Sequence, residues 1–367
     1  MHRRALVAVT LGTLLAIAPL AGEARQLGKL GGALKRAQQL KDIEMTEAEE
    51  AQLGAQVSLK VRARYGVVQN AAVHKYVALV GTALAQASSR PNLKWQFIVL
   101  DTDAVNAFAA PGGFVHITKG ALANLKTESE LAGVLGHEII HVTEKHTIRA
   151  IQKSKAVQIG VDEKMSGAVM NKLADKAYEV IDTGFGRGDE LEADEKGIVL
   201  ANTVGWAPTG MNGFLNMLIS RNKAAGNTDR SGLFASHPET QERMDKMTKL
   251  IASAKLTSTA TVTERYAATI TFKPVPVTEV ATIEAGSAGA AGATKPAEEP
   301  KKKGLGGLAA SLKPSGGEKK SAQVTGSGAA RGAGQESSAK GGSNPALVAV
   351  TVSAADITAF KKAGGLK

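Results

Sequence analysis

Residues 127–146 read TESELAGVLGHEIIHVTEKH and contain three histidines and four glutamates. Thr127 and Glu130 have the spacing of a capping box, which predicts that a helix begins here. On a helix, residues four apart lie one above the other, so His137 and His141 present their imidazoles on the same face. The spacing therefore predicts that the two rings share one metal ion.

Glu138 follows the first of these histidines and is expected to lie beside the metal. A carboxylate in this position can take a proton from a metal-bound water, which is the general-base role in metal-assisted hydrolysis. The chain has no cysteine, which excludes thiol nucleophiles, iron–sulfur clusters and Cys-ligated zinc. We therefore expect one Zn²⁺ per chain, held by histidine and carboxylate side chains.

A tetrahedral zinc site needs a third protein ligand and keeps its fourth position open for water. The string ELEAD supplies the strongest candidate, Glu190, with Asp194 one turn later to accept the outer N–H of a zinc-bound histidine. Glu192 is expected to face solvent. His146 follows His141 by five residues, and we interpret it as a helix-surface residue or as a residue behind a ligand.

The hydrophobic pattern predicts an α+β fold that is mainly helical and contains a small sheet. Apolar residues at three- and four-residue spacing indicate helices, and short β-rich runs indicate strands. Residues 106–112 are expected to form a turn-rich crossing between two strands. The predicted helices cover 45–63, 70–88, a segment from 127, 189–203, 209–224 and 239–254, and the predicted strands cover 95–100, 113–118 and two short segments within 258–283.

The strand at 113–118 has two interpretations. As an edge strand it would pair main chain to main chain with an extended peptide, and Gly113, Phe114, Val115 and His116 would then contact substrate. As an inner strand it would be ordinary sheet core. The sequence leaves both open.

Composition divides the chain into four segments. Residues 1–24 have a basic start, an apolar run and small residues near the end, which is typical of a cleaved signal peptide. Residues 25–284 are the expected folded domain, and 285–345, with fourteen glycines, are a Gly/Ala/Ser/Lys-rich flexible linker or disordered tail. Residues 346–367 are expected to form a short strand and a capped helix. The signal-peptide pattern predicts that the protein is exported to the periplasm. Secretion, or anchoring in the membrane through an uncleaved signal peptide, is the alternative.

Charge and aromatic content narrow the possible partners. The net charge is +11, but residues 285–345 alone hold nine Lys or Arg against four Glu. Aromatic residues make up 4% of the chain, too few for a base-stacking surface, so nucleic acid is not an expected partner. The basic tail allows at most peripheral contact with an anionic membrane or cell wall.

Four motifs in this order resemble those of the HtpX-like, BepA-like and Oma-like gluzincin metallopeptidases, which are family forty-eight of the metallopeptidases. The resemblance covers about residues 45–255 and implies a helical zincin-like fold with a small sheet. It also implies zinc endopeptidase activity and a role in the quality control of membrane or envelope proteins. The motifs are NAFAAPGGFVHITKG (106–120), HEIIH (137–141), ELEAD (190–194) and SHPETQER (236–243).

The resemblance also implies roles for individual residues. It makes His137, His141 and Glu190 zinc ligands and Glu138 the catalytic base.

His237 and Arg243 match an H-P-x(4)-R element near the family's active site. The proline after His237 favours a loop, from which the imidazole could fill the fourth zinc position and silence the enzyme, or donate to the oxyanion. Arg243 could anchor this loop or a substrate carbonyl.

The sequence thus predicts an exported zinc endopeptidase that cleaves unfolded or misfolded envelope polypeptides. A latched zinc-binding chaperone or binding module with little proteolytic activity is the alternative. A third class is an adaptor that binds the cell wall through the basic tail. Neither the physiological substrate nor the oligomeric state is specified by these patterns.

Overall fold

The computed structural model describes most of the chain from residue 45 onward. The described residues are 45–154, 167–224, 240–280, 282–283, 324–325 and 344–367. The predicted signal peptide and most of the predicted linker lie outside them. Within these ranges the fold is α+β and mainly helical, with a small sheet, as predicted.

Two long helices open the described chain and confirm the first two predicted helices. α1 (Glu47–Tyr65) begins at a capping box formed by Thr46 and Glu49. α2 (Ala71–Gln86) begins at Asn70, whose side-chain oxygen accepts hydrogen bonds from two backbone N–H groups of the first turn. Both starts therefore follow from the capping residues in the sequence.

A three-stranded sheet follows, built from β1 (Gln96–Leu100), β2 (Ala107–Ala110) and β3 (Phe114–Thr118). β1 and β3 were predicted, whereas the interpretation of residues 106–112 as a turn-rich crossing is wrong. The turn is confined to Pro111–Gly113, where Gly112 and Gly113 have φ of 72° and 100°. Because these glycines reverse the chain so tightly, Ala107–Ala110 pair antiparallel with β3.

β3 is the middle strand of this sheet. It pairs in parallel with β1 on one side and antiparallel with β2 on the other. The prediction that Gly113, Phe114, Val115 and His116 contact substrate along an edge strand is therefore wrong. Both main-chain edges of β3 are used by its neighbours, and Gly113 belongs to the turn. The alternative interpretation, ordinary sheet core, is confirmed.

Of the helices after β3, some pack against the sheet and the others pack against neighbouring helices. Those predicted to begin near 127, 189, 209 and 239 are confirmed, and α3, α5, α6 and α10 were not predicted. The described helices in this part are α3 (Lys119–Asn124), α4 (Glu128–Thr143), α5 (His146–Lys153), α6 (Gly167–Thr183), α7 (Arg187–Val204), α8 (Gly210–Ala224), α9 (Thr240–Ser253) and α10 (Thr263–Thr269).

Residues 258–283 do not form the two predicted strands. They contain α10 and end in a two-residue strand, β4 (Thr282–Ile283), which pairs with β5 (Val324–Thr325). Tyr266 and Ile270 lie four residues apart and are both buried in the main hydrophobic core. Because this spacing places both side chains on one face of a helical turn, burial overrides the β-prone Thr and Val content.

α4 is the central helix of the fold. Its N-cap is Thr127, as predicted, and every residue of the helix except Glu130 is buried. The helix contacts α2, α7 and α8, so it has neighbours on several sides. A helix that is buried all round belongs to the core, and the histidines on α4 are consequently core residues.

α4 and α7 cross at two glycines, Gly136 and Gly197. A Cβ atom built on Gly197 would lie 2.9 Å from the backbone nitrogen of His137, and one on Gly136 would lie 3.0 Å from the carbonyl oxygen of Gly197. Neither contact leaves room for a side chain without moving a backbone. The missing side chains therefore allow the two helices to approach closely, one residue away from His137.

The C-terminal residues pack against the same core. The strand predicted from residue 346 is not formed, because 344–352 run without joining a sheet of the described residues. α11 (Ala354–Ala363) begins at the predicted capping box of Ser353 and Asp356 and contacts α2. Its Phe360 is buried beneath the guanidinium of Arg265, which lies 3.8 Å from the ring centroid.

Arg265 also joins this terminal helix to α4. It forms an ion pair with Glu128, the first residue of α4, whose carboxylate also accepts hydrogen bonds from Tyr76 and Trp206. The division of the chain at residues 284 and 346 stays a prediction, but the terminal helix shares the core of the folded domain.

We predict that Gly197→Ala destabilises the chelator-treated protein. The added Cβ meets the backbone of α4, so the helices must separate at a cost of about 1–3 kcal/mol. Gly188→Ala is the matched control, because it lies on the same helix with open space around its Cβ position. We expect it to be neutral or to stabilise by up to about 1 kcal/mol. Urea unfolding measures both, and equal stability of the two variants would contradict the proposed crossing.

We predict that Phe360→Ala destabilises the protein by about 3–5 kcal/mol, because a buried aromatic side chain is lost together with its contact to Arg265. Leu347→Ala is the control from the same terminal segment, since Leu347 is 45% exposed. It should change the free energy of unfolding by less than about 0.5 kcal/mol. A Phe360→Ala protein as stable as the control would show that the terminal helix is not part of the core.

Candidate metal centre

His137 and His141 face the same side of α4, one turn apart, and their Nε2 atoms lie 3.0 Å from each other. Glu190, from the first turn of α7, points at both of them. Its Oε2 lies 3.5 Å from His137 Nε2, and its Oε1 lies 3.5 Å from His141 Nε2. All three side chains are buried. The structure therefore brings together the three residues that the sequence predicted as metal ligands.

This donor set fits a zinc ion. One ligand atom from each of the three residues lies within 4.8 Å of the others. Zinc binds imidazole nitrogen and carboxylate oxygen at about 2.0–2.2 Å, and three such ligands leave a fourth position for water or substrate. The three residues that would hold the ion are thus His137, His141 and Glu190.

Asp194 lies behind His137. Its Oδ1 is 3.0 Å from His137 Nδ1, and both of its oxygens accept hydrogen bonds of 2.7 Å from Arg243. Burial alone would raise the pKa of Asp194, but the hydrogen bonds from Arg243 and His137 outweigh it and lower the pKa. An ionised Asp194 keeps the His137 proton on Nδ1, which leaves the Nε2 lone pair for a metal.

Among the described residues, Arg243 is surrounded by carboxylates, and its predicted contact with the loop of His237 or with a substrate carbonyl stays a prediction. Besides Asp194, its Nη1 lies 3.2 Å from Glu190 Oε2. Burial would lower the pKa of Arg243, but the hydrogen bonds to Asp194 and the charges of Asp194, Glu190 and Glu138 outweigh it and raise this pKa, so Arg243 stays charged. The guanidinium therefore links the carboxylate that orients His137 to the carboxylate that completes the donor set.

The buried charges around this centre favour a cation. Three buried carboxylates, of Glu138, Glu190 and Asp194, stand near one buried guanidinium, that of Arg243. The carboxylates outnumber the guanidinium in a region where unbalanced charge is costly, so a further positive charge at this centre is stabilised.

His137 responds to the same excess of negative charge. Burial would lower the pKa of His137, but the hydrogen bonds to Asp194 and Glu190 outweigh it and raise this pKa to about 9.

The surroundings of His141 were only partly predicted. His146 is fully buried, so the interpretation as a helix-surface residue is wrong, and its Nδ1 lies 2.7 Å from His141 Nδ1. Glu192, expected to be solvated, is 30% exposed and lies 3.2 Å from His146 Nε2. It is paired instead with His146 and Arg149 of α5 and with Lys196 of α7.

Phe185 was missed at the sequence level. Its ring stacks on the His141 ring, with centroids 4.1 Å apart and planes 18° apart. The residue lies between Gly184 and Gly186, in the turn that leads into α7. An aromatic residue flanked by glycines just before the ELEAD helix was the available signal.

Glu138 is buried on α4, next to His137. His237 lies outside the described residues, so its predicted position and its two alternative roles stay predictions.

Comparison with known proteins identifies a family and several relatives. Residues 71–251 match the sequence profile of Peptidase family M48. The chain is 26% identical over 211 residues to the "Beta-barrel assembly-enhancing protease" of Yersinia pestis, covering 53% of this chain and 42% of that protein. It is 28% identical over 186 residues to the "Mitochondrial metalloendopeptidase OMA1" of Schizosaccharomyces pombe, covering 49% and 54%.

A third relative is the "Metalloprotease YcaL" of Escherichia coli, strain K12, which is 32% identical over 160 residues, covering 42% of this chain and 61% of that protein. The chain therefore spans about half the length of the curated relatives that it matches.

We predict that Glu190→Ala and Asp194→Asn weaken zinc binding to different extents. Glu190→Ala removes a ligand and should leave less than stoichiometric zinc after dialysis. Asp194→Asn removes only the charge behind His137, and outer partners of this kind are worth about 10–100-fold in metal affinity. Elemental analysis and chelator competition measure the two effects. Full zinc occupancy in Glu190→Ala would remove Glu190 from the centre.

Proposed function

Because this chain belongs to the metallopeptidase family M48, with the family domain at residues 71–251, we propose that it is a zinc-dependent endopeptidase. The observation that carries this proposal is the convergence of His137, His141 and Glu190 beside Glu138 on the same central helix. These residues combine a donor set of three ligands with a base, which is the arrangement that metal-assisted peptide hydrolysis needs.

Bound zinc would supply a water of lowered pKa and a Lewis acid for the scissile carbonyl. Glu138 accepts the proton of the attacking water and passes it to the leaving amine, so one carboxylate serves as base and then as acid. Asp194 holds the His137 ring with its proton on Nδ1. Arg243 keeps Asp194 ionised and ties it to Glu190. Because Asp194 holds His137, this contact fixes the position of His137 relative to Glu190.

The proposed peptide-binding strand is β2. β2 has one strand neighbour in the sheet, and Ala109 and Ala110 lie close to His141. Peptide binding along this edge would use main-chain hydrogen bonds, which suits a protease of unfolded chains because it reads backbone more than side chains. All four residues of β2 are buried and β2 contacts α6, so substrate access requires a neighbouring element to move.

The proposed substrates are misfolded polypeptides of the cell envelope. Two observations support this: the signal-peptide pattern of residues 1–24, and the printed name of the Yersinia pestis relative, which refers to β-barrel assembly. The proposed location is the periplasm, with any membrane or wall contact limited to the basic residues of 285–345. In the described residues, no helix is long and apolar enough to cross a bilayer.

We predict that the full chain, without its signal peptide, cleaves unfolded casein and that a chelator stops the cleavage. Glu138→Gln should lower the rate by about 10²–10⁴-fold while zinc stays bound, because the general base is lost and the ligands are kept. Glu130→Gln, on the same helix, is the matched control and should retain activity, since Glu130 is the helix residue that is not buried.

This assay tests both the proposed mechanism and the choice between a peptidase and a zinc-binding module. Cleavage that survives in Glu138→Gln would contradict the proposed mechanism. One equivalent of bound zinc without cleavage of any unfolded substrate would favour the binding module. In that case His237→Ala tests whether the chain is latched, because removing a latch should raise cleavage.

A further inference from the structure

We propose that His146 is a positioning residue that holds the zinc-binding ring of His141, with Glu192 holding His146 in turn. This inference rests on the proposed zinc function and assigns the outer partner of the second histidine ligand. His146 is the first residue of α5, and its Nδ1 lies 2.7 Å from Nδ1 of His141. The contact joins the end of α4 to the start of the next helix.

The direction of this hydrogen bond follows from the metal site. His141 must offer the lone pair of Nε2 to the ion, so it carries its proton on Nδ1 and donates it to His146. His146 accepts at Nδ1 and therefore carries its own proton on Nε2. That proton points to Glu192, whose Oε2 lies 3.2 Å away. The three side chains thus form a chain of two hydrogen bonds that ends at the ligand.

Glu192 is itself held in place. Arg149 on α5 donates to Glu192 Oε2 at 3.0 Å and to Asp189 Oδ1 at 2.8 Å. Lys196, one turn along α7, donates to Glu192 Oε1 at 2.8 Å. These ion pairs link α5 to α7, so the orientation of His146 depends on both helices that flank the metal site.

The same ion pairs argue against a second metal ion at His146. Ligand atoms of His146, Asp189 and Glu192 lie close enough together to hold one. However, Arg149 and Lys196 already balance both carboxylates at hydrogen-bond distance, so a cation would have to displace them. The cluster is therefore better explained as a support for His141.

The two histidine ligands are supported differently. His137 donates to a fully buried carboxylate, Asp194, whereas His141 donates to a neutral imidazole that relays the interaction to a half-buried carboxylate. Phe185 covers one face of the His141 ring, so the ring plane is set by stacking and the rotation within that plane by His146. Loss of His146 would free this rotation.

The test compares zinc dissociation constants of full-length variants, measured by competition with a chelating indicator. His146→Leu keeps the volume but removes the acceptor, and we expect it to raise the zinc Kd by about 10–100-fold. His146→Gln keeps both an acceptor and a donor, so it should stay within about threefold of the wild type. His74→Leu is the matched control, because His74 is an equally buried histidine that bonds only to backbone and lies outside the metal centre.

The pattern of variants distinguishes positioning from a general structural role. Wild-type zinc affinity in His146→Leu, or equal losses in His146→Leu and His146→Gln, would overturn the proposal. If His146→Leu does not fold, Glu192→Ala replaces it, and we expect a rise in zinc Kd of roughly threefold or more; an unchanged Kd would be contradictory. If the wild-type chain binds zinc but cleaves no substrate, the proposed peptidase function is wrong, whereas the positioning role of His146 is unaffected. A chain that binds no zinc overturns both.

Discussion

The close contact of Gly136 with Gly197 is the constraint on which the metal centre depends. A Cβ atom at either position would meet the backbone of the opposite helix at 2.9–3.0 Å, so the axes of α4 and α7 can approach only because both residues are glycine. His137 follows the first glycine directly. Asp194 and Glu190 precede the second by three and seven residues, which places them on the same helix face. The crossing therefore sets the distance between histidines and carboxylates.

The second requirement is charge balance inside a buried core. Burying three carboxylates in one place is unfavourable unless their charge is compensated. Arg243 compensates part of it and, by bonding to Asp194 and Glu190 together, also fixes their geometry. The remaining negative charge favours a cation at the centre over a neutral or apolar group. Stability of the core and affinity for metal are thus properties of the same side chains.

Much of the centre could be predicted from sequence because it depends on local spacing. The pairs His137 and His141, and Glu190 and Asp194, are each four residues apart, and helical geometry alone places each pair on one face. Strand order is not local in this sense. The residues of β3 are buried and mostly apolar, a pattern that fits a central strand and an edge strand alike, so the sequence could not decide between sheet core and substrate contact for Gly113–His116. Likewise, no periodicity in the sequence predicts that α11 packs against Arg265, or that the buried side chain of His146 contacts His141.

The central claim is that α4 and α7 together hold one zinc ion, and anomalous diffraction at the zinc edge tests it most directly. Data from crystals of the full chain, collected above and below the edge, should show one strong peak. The account predicts that this peak lies about 2.0–2.2 Å from Nε2 of His137, Nε2 of His141 and a carboxylate oxygen of Glu190. A peak among His146, Asp189 and Glu192 instead, or zinc-loaded crystals with no peak between the two helices, would contradict it.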